Sequence, residues 1–164
     1  MPIEIRAATR QDIPLLTMLV STAFRDVAER FHLTLENCPK HPSNCVPEWF
    51  ETAMTKGARY YILEDKGTPC GCVALEQAKP DVGYLERLAV LPQCRKKGFG
   101  EALVAHVFAE ARKMGIGRME IGIIAEQTEL RVWYERLGFV ITRESEFQHL
   151  PFRVAFMANY KDLV

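Results

Sequence analysis

The chain is 164 residues long and 48% hydrophobic, with 21 Lys and Arg balancing 21 Asp and Glu. That length holds one domain with a real core, read here over residues 1–164, and the neutral balance lacks the basic surplus that nucleic acid or an anionic membrane selects. No apolar run nears the roughly 18 residues of a membrane span, so neither a membrane nor nucleic acid is expected as a partner.

The N-terminus shows neither the charged start nor the apolar stretch of a signal peptide. Five cysteines, an odd number, fit reduced thiols in a cytoplasmic protein better than a disulfide framework. Ile3 to Ala7 alternates apolar and polar residues and predicts a strand. Thr9 suits an N-cap, with Asp12 in the first turn. Leu15, Met18, Leu19, Ala23 and Val27 then recur at spacings of three and four, which predicts one helix to about Arg30. Pro39, Pro42 and Pro47, with Asn37, Ser43 and Asn44, make the next stretch a loop. Glu48 to Lys56 reads as a short helix stopped by Gly57.

Arg59 to Glu64 and Cys70 to Gln77 form a predicted hairpin around Asp65-Lys66-Gly67-Thr68, and Tyr84 to Val90 is a third strand. A helix from about Gly98 to Met114 sets Leu103, Val107, Ala111 and Met114 along one face. Arg118 to Ile124 is a strand, Glu129 to Leu137 a helix ended by Gly138, and Phe139 to Phe147 and Phe152 to Ala158 are closing strands. The order β-α-α-β-β-β-α-β-α-β-β predicts an α/β (α+β) fold, with a mixed sheet because two crossover helices link strands.

The strongest chemical signal follows the third strand. Leu88, Ala89, Val90 and Leu91 lead to Pro92, then to Arg95, Lys96 and Lys97, then to Gly98, Phe99, Gly100 and Glu101 at a helix start. Free first-turn amides, the positive helix end and unobstructed glycines converge on one point and make an anion site. A solvated cationic loop would explain the three charges alone, but not their place before Gly-x-Gly. A dinucleotide turn would need a third glycine at position 103, which is Leu103, and an acidic residue ending a second strand, whereas Glu120 lies within one.

The sequence resembles the GNAT superfamily of acetyl-CoA-dependent N-acetyltransferases. Arg95-Lys-Lys-Gly98-Phe-Gly100 matches the family's Arg/Gln-x-x-Gly-x-Gly/Ala cofactor signature. Gln127-x-x-Leu130-x-x-x-Tyr134, followed by Gly138-Phe139, matches the spacing of its Asn-x-x-Ala-x-x-x-Tyr landmark, with Gln127 for Asn and Leu130 for Ala. The resemblance implies the GNAT fold over nearly the whole chain and acetyl-CoA as cosubstrate. It further implies pantetheine pairing with the backbone of Leu88 and Val90, and direct attack by an amine in a ternary complex. In family terms Tyr134 is the expected donor of a proton to the leaving thiolate, where core packing is the plainer reading. Glu86, a carboxylate on the strand face read as shared with Tyr84, Leu88 and Val90, is the candidate general base, with a salt bridge to Arg87 or Arg118 as the alternative.

The acceptor pocket implied by the resemblance would draw on Phe24, Phe31, His41, Trp49 and Glu86, an aromatic lining suited to an apolar or aromatic small-molecule or peptide amine. The acceptor stays open among metabolite amines, amino acids, antibiotics and protein N-termini, and dimers are common among similar proteins. Cys38, His41 and Cys45 have irregular spacing for zinc, and no metal is expected. Cys94 reads as a small side chain beside the loop, with raised reactivity as the alternative. A catalytically silent acyl-CoA-binding or regulatory module on the same fold is the other class of function considered.

Overall fold

A computed structural model of the chain describes residues 3–160. Strand β1 (Ile3–Ala7) leads through a single 3-10 turn to helix α1 (Ile13–Ala23). Asp12 caps this entry by accepting the Thr9 N–H at 2.8 Å and is held in turn by Arg6. The long first helix predicted from periodicity is two helices: α1 gives way at Phe24 to α2 (Arg25–Arg30). The cause is a long-range contact. Arg95 Nη2 donates to the Ala23 carbonyl at 2.8 Å, and the Val27 N–H, which a continuous helix would give that carbonyl, donates instead to Asp26 Oδ1 at 3.0 Å. Helix α3 (Pro47–Thr55) follows the proline-rich loop, with Pro47 at its first position.

Strands β2 (Arg59–Asp65), β3 (Thr68–Lys79) and β4 (Val82–Val90) form an antiparallel meander with β1. Helix α4 (Phe99–Lys113) crosses to β5 (Arg118–Ile124), and α5 (Thr128–Arg136) leads to β6 (Val140–Glu146) and β7 (Arg153–Asn159). The sheet order is β1-β2-β3-β4-β5-β7-β6. Its core holds Leu16, Leu19 and Phe50 from one layer, Ile62, Leu63 and Met157 from the sheet, and Leu103 and Phe139 from the other layer, all essentially inaccessible to solvent.

Two irregularities position the site. The parallel pair β4–β5 is joined only over Val82–Tyr84 and Arg118–Glu120, although both strands continue. Beyond those residues the strands part and leave a wedge. Second, β4 carries a bulge. Its register to β3 passes from Ala74 opposite Glu86 to Cys72 opposite Ala89, and Arg87 adopts φ +51°.

Candidate active site

The loop between β4 and α4 is built as an anion cradle. Leu91 extends the sheet pairing by donating its N–H to the Cys70 carbonyl at 2.9 Å, and Pro92–Cys94 makes a 3-10 turn. Lys96 and Gly98 follow with φ +65° and +80°. The helix's first bond runs from the Ala102 N–H to the Gly98 carbonyl at 3.0 Å, so the amides of Phe99, Gly100 and Glu101 have no partner within the helix. The two glycines serve different ends. Gly98 has open space around it and is required by its left-handed backbone, whereas a Cβ on Gly100 would lie 3.3 Å from the Trp133 ring.

Arg95 points inward. Its Nε donates to the Val90 carbonyl at 3.0 Å, its Nη2 to Ala23, and its Nη1 pairs with Asp26 at 2.6 Å. It ties the loop to β4 and to the α1–α2 junction, and leaves Lys96 and Lys97, both exposed, as the outward charges.

Above the loop lies a cleft of 570 Å³ between β4, the α1–α2 junction and α5. Leu88, Ala89, Val90, Arg95, Lys96, Gly98, Phe99, Gly100, Glu101, Gln127 and Leu130 line it; of the residues expected at the cofactor, Lys97 and Tyr134 do not. Tyr134 is buried behind Trp133, its ring packed edge-on against Trp133 at 4.9 Å and Phe139 at 5.3 Å. Burial pushes its phenol above the usual tyrosine value, so it stays protonated at neutral pH.

A second cavity, of 360 Å³, opens on the α3 side of β4 and is lined by Lys40, Trp49, Lys56, Tyr60, Glu76, Glu86 and Arg87. A third, of 300 Å³, holds Tyr84, Glu86, Glu120, Arg143 and Phe156. Glu86 belongs to both. Solvent still reaches it, but the enclosing protein wall, and then its neighbour Glu76, raise its carboxyl to about 7, with Arg87 opposing. Arg87 is braced by the Tyr60 hydroxyl and lies over the rings of Trp49 and Phe50, at 5.7 and 5.3 Å. The bulge therefore corrects the expected face. Glu86 and Arg87 open into one cavity beside α3, whereas Val90 lies towards Gly100 of α4, so Glu86 does not share a face with Leu88 and Val90.

Few of the residues named for an aromatic acceptor pocket meet. Trp49 and Glu86 line the second cavity, while Phe24 lines the first cleft. Phe31 packs with Leu150 and Phe152 on a small cluster around Leu33 and Cys38. His41 is buried edge-on to Phe24, and its Nδ1 lies 2.7 Å from the Ser43 hydroxyl. Phe24, Phe31 and Trp49 are half-buried and pack against the hydrophobic clusters at separate places. Cys38 and Cys45 belong to different clusters, and among the described residues no three metal-binding side chains converge.

Residues 22–139 match the model of the acetyltransferase (GNAT) family. The chain belongs to this family. It is 33% identical over 145 residues, 88% of its length, to the amino-acid acetyltransferase of Neisseria meningitidis, of which it spans 29%. The chain thus covers under a third of that relative. N-acetylglutamate synthase from Neisseria gonorrhoeae, solved with coenzyme A and N-acetyl-glutamate, superposes with a TM-score of 0.68 at 25% identity, over 97% of this chain and 35% of that one. The ribosomal-protein-S18-alanine N-acetyltransferase of Escherichia coli shares the fold with a TM-score of 0.76 at 18% identity, over 96% and 93% of the two chains.

Several residues of the GNAT chain's site escaped the sequence reading. Ala23 and Asp26 are tied to the loop by Arg95, seventy-two and sixty-nine residues along the chain. Lys40, Lys56, Glu76 and Arg87 line the cavity beside Glu86, and they come from a loop, the turn after α3 and two strands. Trp133 alone carried a local signal, one position before the motif tyrosine.

Proposed function

We propose that the chain transfers an acetyl group from acetyl-CoA to the amine of an amino acid by direct attack in a ternary complex. The observation that carries this reading is β4 itself. Within a few residues the strand passes from Glu86 and Arg87, in the second cavity, to Leu88 and Val90, in the loop's cleft. A donor in one and an acceptor in the other meet across a single strand, which supplies the proximity such a transfer needs.

The diphosphate of acetyl-CoA sits on the amides of residues 98 to 101, with Lys96 and Lys97 adding charge. The pantetheine arm lies along β4 in the wedge, where β5 leaves that strand's edge unpaired. Glu86 takes a proton from the incoming ammonium, and its raised pKa suits that exchange near neutral pH. Tyr134 gives a proton to the departing sulfur after a small shift of Trp133 and the ring. The acceptor class rests on two supports: relatives named as amino-acid acetyltransferases, and a cavity that sets Lys40, Lys56 and Arg87 against Glu76 and Glu86. Cations receive the carboxylate while carboxylates receive the ammonium.

A panel of amines assayed by CoA release tests the assignment. Amino acids should be turned over, and the matching amines without a carboxylate should lose about tenfold or more in kcat/KM, the worth of one charge-assisted hydrogen bond. Equal rates for both would refute the acceptor class.

A further inference from the structure

Beside the loop lies a pair of thiols that acetyl transfer does not use. Cys94 closes the turn before Arg95, and Cys70 stands on β3. Their sulfur atoms are 2.9 Å apart, and both side chains are buried. Backbone pairing holds them there, because the Cys70 carbonyl accepts the Leu91 N–H. Cys94 also lines the cofactor cleft, followed directly by Arg95 and Lys96. The other three cysteines, Cys38, Cys45 and Cys72, do not line that cleft.

We propose that Cys70 and Cys94 form a peroxide-sensitive modification site, reached through the cofactor cleft and shielded when CoA occupies it. The shielding part rests on the cleft being the CoA site. The Cys94 thiolate attacks one oxygen of hydrogen peroxide; the S–O bond forms, the O–O bond breaks, and the departing hydroxide takes up the proton that the thiol released, to become water. The Cys70 sulfur then attacks the sulfenic sulfur of Cys94. The S–S bond forms, the S–O bond breaks, and the leaving hydroxide takes the Cys70 proton as a second water. Both thiols are oxidised and one peroxide is reduced. Cys94 acts first because it borders the cleft, whereas Cys70 stands behind it on β3, where burial pushes its thiol up. Since Cys94 opens directly into the cradle, the new bond anchors the phosphate loop to β3.

The test exposes the reduced chain to hydrogen peroxide and follows it by intact mass and peptide mapping, with desulfo-CoA binding measured separately by calorimetry. The expected product is the chain lighter by two hydrogens, with Cys70 joined to Cys94. The Cys70→Ser chain should instead trap a sulfenic acid at Cys94 that dimedone labels. Saturating desulfo-CoA, which has no thiol for peroxide to oxidise, should slow the reaction by about the factor 1 + [desulfo-CoA]/Kd. Failure of the free chain to join these two residues overturns the proposal. An unchanged rate in desulfo-CoA, when calorimetry shows it bound, overturns the route through the cleft. Absence of desulfo-CoA binding strikes the cleft reading instead and leaves the thiol pair to be judged on the free chain.

Discussion

At Glu86 the chemistry depends on which proton state the enzyme presents. The carboxyl is raised to about 7 by enclosure and by Glu76, and only its ionised form accepts a proton. So kcat/KM should climb with pH through about 7 and level off above it. In Glu86→Gln the climb should vanish and kcat/KM should fall by about 10²-fold or more, and a variant that kept the same profile would exclude Glu86 as the base. Tyr134 has the opposite requirement. Burial keeps its phenol protonated well into alkaline pH, so it adds no falling limb near neutrality. Tyr134→Phe should lower kcat by about 10²-fold while leaving the Kd for CoA unchanged. Equal losses in kcat and CoA affinity would assign it to packing between Trp133 and Phe139.

Among the elements, Arg95 joins the loop before α4 to the α1–α2 junction. Its bonds to the Val90 and Ala23 carbonyls are part-buried, while its pair with Asp26 is exposed to solvent. Two such bonds are worth about 1–3 kcal/mol in all, and an exposed ion pair much less. Arg95→Ala should therefore lower the Tm by about 2–12 °C and weaken CoA binding, because the cradle loses its tie to α1. Asp26→Asn should change the Tm little by the same scan. Periodicity marked α4, β5 and α5 to within a residue or so, because their spacing is set by local backbone geometry and one buried face each. The break at Phe24 left no such trace. It depends on a guanidinium seventy residues away competing for one carbonyl. Nor did the bulge at Arg87, since a left-handed arginine looks like any other residue in a strand pattern. That one residue turned Glu86 and Arg87 into the same cavity and parted Glu86 from Leu88 and Val90, while Tyr84 stays beside it.

Over the whole molecule, the cleft is opened by the parting of two neighbouring strands of the sheet. Strands β4 and β5 pair at one end and separate at the other. The packed layers on either side, centred on Phe50 and Leu103, hold that opening against closure. The motif at residues 95–100 was legible because anion binding by main-chain amides needs glycine and a helix start at fixed places. The cavity proposed for the acceptor was not, because Lys40, Lys56, Glu76, Glu86 and Arg87 converge only once the sheet and α3 are packed.

Calorimetric titration of the chain with CoA and with pantetheine, which lacks the nucleotide and its phosphates, addresses the cradle itself. If main-chain amides at the start of α4 hold the diphosphate, CoA should bind at least ~100-fold more tightly than pantetheine, the worth of two charge-assisted hydrogen bonds. Equal affinities for the two ligands would contradict the account.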